Sequence, residues 1–237
     1  MKYIILIVAF FFINLNAKAT DDHLGVINKN NNIQIYLEGV DLTSGKYHYS
    51  NISNFVYSYQ FNEKSGIDFG KHSLGNGVSF NGSNPREYSG VSSYVKNGMA
   101  GISLQNYYLH YKYSIYSTKD TRFAIGPLAY FRKVQTHSAD KSYIINNYND
   151  QLVGFGIEFQ NDDFLPWGWF FQYELKFAHG GNSGNSIIDS EMLFLHDIKD
   201  AVYGGFGFHV QKHQINNDYT HGKFQAYEII GVLGVMF

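Results

Sequence analysis

The sequence predicts an all-β protein: a closed antiparallel transmembrane β-barrel of ten strands in meander order, with eight to twelve as the range. Three observations carry that prediction. Segment after segment alternates aromatic or aliphatic residues with polar ones at period two, the pattern of a strand whose faces meet different surroundings. The connections alternate long and short. The composition, finally, suits strands: the aromatic fraction is 18%, with 20 Tyr, 20 Phe, 24 Gly and only 3 Pro in 237 residues. Tyr and Phe favour strands and form the interfacial girdles of membrane barrels. The mean hydropathy of −0.25 agrees, because half of each barrel strand looks onto a polar interior.

Residues 1–19 have the form of a cleaved signal peptide. Lys2 is a short positive region, and Tyr3 to Ile13 is an apolar run shorter than the ~20 residues of a membrane-spanning helix. Ala17-Lys18-Ala19 is an A-x-A cleavage site, which would make Thr20 the first mature residue. The chain has no cysteine, which excludes lipoprotein anchoring, disulfides and thiolate metal sites. Residues 20–237 are then one domain, with 16 basic against 20 acidic residues once Lys2 and Lys18 are gone. That mild negative charge offers no nucleic-acid surface.

Taken in order, the first strand spans residues 33–40, with Ile33, Ile35 and Leu37 opposed to Gln34, Tyr36 and Glu38. A polar link, 41–53, leads to the second strand at 54–61, where Phe55, Tyr57, Tyr59 and Phe61 share a face. A tight turn at 62–65 opens the third, 66–74, with Ile67 and Phe69 against Asp68 and His72. The longest link, 75–100, is rich in Gly, Ser and Asn and contains Pro85, so it reads as a loop. The fourth strand, 101–117, sets Tyr107, Leu109, Tyr111, Tyr113 and Ile115 against Asn106, Tyr108, His110 and Lys112. After a turn at 118–120 comes the fifth, 121–134, with Phe123, Ile125, Ala129 and Phe131 against Arg122, Gly126, Tyr130 and Arg132.

A long link at 135–149 precedes the sixth strand, 150–160, where Val153, Phe155, Ile157 and Phe159 oppose Gly154, Gly156, Glu158 and Gln160. A turn at 161–166 leads to the seventh, 167–178, with Trp169, Phe171, Tyr173, Leu175 and Phe177 against Gln172, Glu174 and Lys176. Residues 179–188 read as a Gly/Asn/Ser loop. The eighth strand, 189–197, has no clear facing. A turn at 198–201 and the ninth strand, 202–212, follow, with Phe206, Phe208 and Val210 against Gly205, Gly207, His209 and Gln211. The loop 213–223 ends at the tenth strand, 224–237.

That last strand places Tyr227, Ile229, Leu233, Val235 and Phe237 on one face. A long alternating strand ending in Phe resembles the closing strand of the small outer-membrane β-barrel proteins of Gram-negative bacteria. The resemblance implies that Phe237 is part of the signal read by the barrel-assembly machinery, and that the protein sits in the bacterial outer membrane among its lipids and lipopolysaccharide. Five long loops and four short turns fit, since such barrels have long external loops and short periplasmic turns.

The inward set would hold Glu38, Asp68, Glu158, Glu174 and Glu228 with Lys112, Arg122, Arg132 and Lys176, and also His72, His110 and His209. Opposite charges there neutralise one another, and a barrel of ten strands is far narrower than the roughly 16 of an open pore. The expectation is a largely plugged lumen and a structural or surface-interaction role through loops rich in Asn, Ser, Gly, Tyr and Lys; a narrow porin is an alternative. The ten histidines show no ligand spacing such as HExxH, so no metal and no cofactor is assigned. A second alternative comes from residues 167–195. His179, Asn182 and Glu191 resemble the His-x-Ser-Asn strand top and following Glu of the outer-membrane lipid A 3-O-deacylases, with Gly181 at the nucleophile position and Ser183 two residues later. The resemblance implies ester hydrolysis of lipid A by His179, Ser183 and Glu191.

Overall fold

A computed structural model describes residues 31–41, 47–48, 54–79, 94–95, 99–138, 144–165, 168–181, 184–199, 201–216 and 220–237. The expected signal peptide, the middle of the 75–100 link and Ser183 lie outside the described residues. Twelve strands run in order: β1 (Asn32–Asp41), β2 (Tyr47–His48), β3 (Phe55–Gln60), β4 (Ser65–Ser79), β5 (Tyr94–Val95), β6 (Met99–Ser117), β7 (Thr121–Ser138), β8 (Ile144–Leu165), β9 (Trp169–Gly180), β10 (Asn185–Lys199), β11 (Val202–Asn216) and β12 (Thr220–Met236). The two-residue β2 and β5 pair onto β1 and β12. The other ten form an antiparallel meander closed by β1 on β12. Closure leaves no edge with unpaired N–H and C=O groups, which a lipid surroundings requires.

Three of the five links expected to be long are short. β7 and β8 continue pairing out to His137↔Ile144, β9 and β10 to Gly180↔Asn185, and β11 and β12 to Asn216↔His221. Polar, Asn-rich residues read as loop, but backbone ladders tolerate polar side chains on both faces where water bathes both. These hairpins therefore project beyond the apolar rows. Gly184, at φ 69°, takes the left-handed conformation in the β9–β10 connection.

Side chains sort cleanly between the two faces. Leu109, Tyr111, Tyr113, Ile125, Phe131, Val153, Phe155 and Phe177 are exposed on the outer wall. The outward rows Tyr107–Ile115, Phe123–Phe131, Val153–Phe159 and Trp169–Phe177 carry no charged residue. Contiguous exposed apolar rows of this kind mark a membrane or partner surface. Inward, by contrast, Asp68, His72, Lys112, Arg122, Arg132, Glu158, Glu174 and Lys176 are all buried. Close to the short turns β9–β12 turn apolar side chains inward, Phe170, Leu193, Leu195, Tyr203 and Val232, with the Phe170 and Tyr203 rings 5.9 Å apart, while Gln34, Arg122, Gln160 and Gln172 are buried at the same end.

Bulky inward rings need room on the wall. A Cβ on Gly70 would lie 2.1 Å from Tyr108 Cε1, and one on Gly234 would lie 2.1 Å from Tyr203 Cζ. Each glycine is the bare patch on which a tyrosine ring lies flat. Such close approach is open only to a residue without a side chain.

Candidate functional site

The interior is spanned by hydrogen bonds between strands that are not neighbours in the sheet, and such bonds can only pass through the barrel. Tyr36 on β1 donates to Glu191 Oε1 on β10 at 2.9 Å. Tyr130 on β7 donates to Asp189 Oδ2 on β10 at 2.8 Å. His110 on β6 lies 3.0 Å from Glu174 Oε1 on β9, and Asn106 on β6 donates to Gln211 on β11 at 3.4 Å.

Three ionic groups sit within this lattice. In the first, Lys112 Nζ lies 2.8 Å from both Asp68 Oδ2 and Glu158 Oε2. Arg122 Nη1 approaches the other Glu158 oxygen at 3.9 Å and its Nε donates to Ser114. Lys176 pairs with Glu174 and places its ammonium 4.5 Å from the centre of the Tyr108 ring, a cation–π contact. In the second, His209 stands between two carboxylates, Asp189 at 2.8 Å and Glu228 at 3.2 Å, and Gln211 also donates to Asp189 at 3.1 Å. The third lies nearer the projecting hairpins: Arg132 pairs with Asp150 and donates to the backbone oxygens of Ser186 and Gln214.

Asp68, Lys112, Arg122, Arg132, Glu158, Glu174, Lys176, His72, His110 and His209 are thus all on the inner wall, with Glu228 at its edge, bonded to His209. Glu38 belongs to β1, but its side chain lies outside the described residues. Sequence reasoning missed Tyr36, Tyr130, Asp150 and Asp189 as members. Asp189 and Glu191 escaped because β10 faces Ile187, Leu193 and Leu195 inward as well, so polarity does not separate its faces. The available signal was strand pairing: Glu191 lies opposite Glu174 on β9, which was already placed inward.

Of the expected hydrolytic set, Ser183 lies outside the described residues, and His179 and Glu191 are not brought together. His179 is exposed on the outer wall, following Phe177 in parity, whereas Glu191 is buried inside and bonded to Tyr36. The barrel wall separates them, because residues twelve apart across the β9–β10 hairpin differ in facing. Phe237 closes the barrel: its N–H donates to Asn31 O at 2.9 Å, and its ring stacks on Tyr57 at 6.3 Å.

No protein-family model matches the chain, and neither does any curated protein.

Proposed function

We propose that the chain is an integral outer-membrane β-barrel with a non-conducting interior, acting structurally or through surface contacts made by its external end. The observation that carries this reading is the inversion of polarity about a closed wall. Apolar rows lie outside, at Leu109–Tyr113, Phe123–Phe131 and Val153–Phe159. Ion pairs fill the inside, bridging β4, β6 and β8 through Lys112. The layer of Phe170, Leu193, Leu195 and Tyr203 near the short turns supplies a second barrier to water and ions. Outer-membrane lipids and lipopolysaccharide would contact the apolar rows, and the barrel-assembly machinery would engage the last strand through Phe237.

Two measurements test this. On cell fractionation the protein is expected in the outer membrane, resisting carbonate extraction; recovery as a soluble periplasmic protein would overturn it. Reconstituted in a planar bilayer, the barrel is expected to stay silent. Steady conductance steps proportional to salt concentration would replace the closed interior with a narrow pore.

A further inference from the structure

Two groups of interior side chains bring three potential metal ligands together: Asp68, His110 and Glu174, and, separately, His72, Glu191 and His209. Their electrostatics differ. In the first group both carboxylates already hold an ammonium, Asp68 that of Lys112 and Glu174 that of Lys176. A cation would have to displace a lysine there. In the second group, Glu191 makes no ion pair among the described residues; its Oε1 accepts from Tyr36. Its Oε2 is buried with no hydrogen-bond partner, and so is Nε2 of His72. Both side chains are 2% exposed. Two unsatisfied polar atoms facing one enclosed space are costly unless something occupies it.

We propose that His72, Glu191 and His209 form a binding site for a divalent transition-metal ion of the zinc class. Two imidazoles and one carboxylate are the donor set such ions prefer. The ligand atoms lie within 4.8 Å of one another. Metal–ligand bonds of 2.0–2.2 Å would bring them to about 3.3 Å, so the set closes by no more than about 1.5 Å. His209 must release one contact to ligate: its two ring nitrogens face Asp189 and Glu228, so one turns to the ion and loses its proton, as metal binding to His requires, while the other keeps a carboxylate. That carboxylate–histidine–metal arrangement orients the ring and strengthens it as a donor.

Nearby charge also favours a cation. Asp189 and Glu228 flank the site; the ammonium of Lys176 also acts on Glu191, but it is paired with Glu174 and set over the Tyr108 ring. The ligands come from β4 and, across the barrel, from the neighbouring strands β10 and β11, where Glu191 and His209 are paired. A bound ion would therefore brace the cylinder through its interior, using side chains that otherwise leave polar atoms unpaired.

The test uses the full mature barrel without a polyhistidine tag, folded in detergent, stripped with a chelator and titrated with Co²⁺. One equivalent is expected to bind, with a visible absorption band displaced by Zn²⁺. Removing a direct ligand by His72→Ala or Glu191→Gln is expected to weaken binding by more than the roughly 10–100-fold that outer-shell changes cost. His179→Ala, on the outer wall, is expected to leave it intact. Folding of each variant is checked by heat-modifiable migration, and wild type is also read alone: Zn²⁺ should raise its unfolding temperature. Wild type that shows neither saturable Co²⁺ binding nor Zn²⁺ stabilisation would overturn the proposal. So would binding that survives in folded His72→Ala and vanishes in His179→Ala.

Discussion

Replacing Lys112 with Met probes the interior most directly. Its ammonium lies 2.8 Å from two carboxylates, and Asp68 and Glu158 are 2% and 0% exposed. Methionine keeps the side chain's bulk and removes only the charge. Breaking a buried pair in this way costs about 3–5 kcal/mol, because the abandoned partner stays in a low-dielectric site. Here the two partners differ. Glu158 keeps Arg122 at 3.9 Å, while Asp68 has no second cation among the described residues. The expected loss therefore sits at the lower end, about 3 kcal/mol, and most of it belongs to Asp68. Lys112→Met combined with Asp68→Asn should recover much of it, with a coupling of about 0.5–3 kcal/mol, as for residues sharing one network. Urea unfolding in lipid vesicles, followed by tryptophan fluorescence, measures both quantities. A loss below about 1 kcal/mol, with no coupling to Asp68, would refute the idea that this lysine neutralises a buried pair.

Phe155→Arg should destabilise the barrel in vesicles by about 2–4 kcal/mol, the cost of a cation near mid-bilayer on a lipid-facing position; the same urea titration reads it, and no change would argue against lipid at that row. Gly70→Ala should cost about 1–3 kcal/mol by pushing the Tyr108 ring off the wall, visible as a lower unfolding temperature. Deleting Phe237 should lower the amount of folded protein in the outer membrane on surface labelling, since its bond to Asn31 and its stacking on Tyr57 are lost; an unchanged level would remove Phe237 from the assembly signal. Neutralising the group together, with Asp68→Asn, Lys112→Met, Glu158→Gln and Arg122→Met, should leave stability within about 2 kcal/mol of wild type, because replacing a complete buried ionic set is often near neutral. A loss larger than that of Lys112→Met alone would count against this balance.

Much of the fold was legible because each strand announces its two faces. Val153, Phe155, Ile157 and Phe159 against Glu158 and Gln160 show which side of β8 is the apolar one. β10 failed this test for a physical reason. The interior changes character along its length, so an inward row that begins with Asp189 and Glu191 ends with Leu193 and Leu195. Parity nevertheless put Tyr36, Tyr108 and Tyr130 on the inner faces, where all three are enclosed, although they are spelled like the girdle residues outside. The partners themselves were not legible at all. His110 and Glu174 are 64 residues apart, and Tyr36 and Glu191 are 155 apart; only closure of the cylinder makes them neighbours. The His179–Glu191 pairing looked plausible in sequence because spacing within one hairpin is conspicuous, whereas parity across a turn is not.

The charged interior is best understood as an answer to a problem of register. A soluble protein buries its apolar face, and the hydrophobic effect chooses that face. A barrel in lipid has an apolar phase outside, so greasy side chains on both faces would give no reason to prefer one orientation of a strand over the other. Charges inside supply the reason. A one-residue slip inverts every side chain of a strand. For β9 that would carry Glu174 and Lys176 from the interior to the row now held by Tyr173, Leu175 and Phe177. Lys176 alone would then cost about 2–4 kcal/mol in lipid, and Glu174 somewhat less. The correct register adds nothing comparable through the ion pair itself, since desolvation offsets much of the attraction. The network's main energetic effect is therefore on the alternatives, which it makes expensive. Charges accordingly mark the inner face of β4, β6, β7, β8 and β9 and the half of β10 away from the short turns, whereas towards those turns β10 and β11 carry leucine and glycine inside.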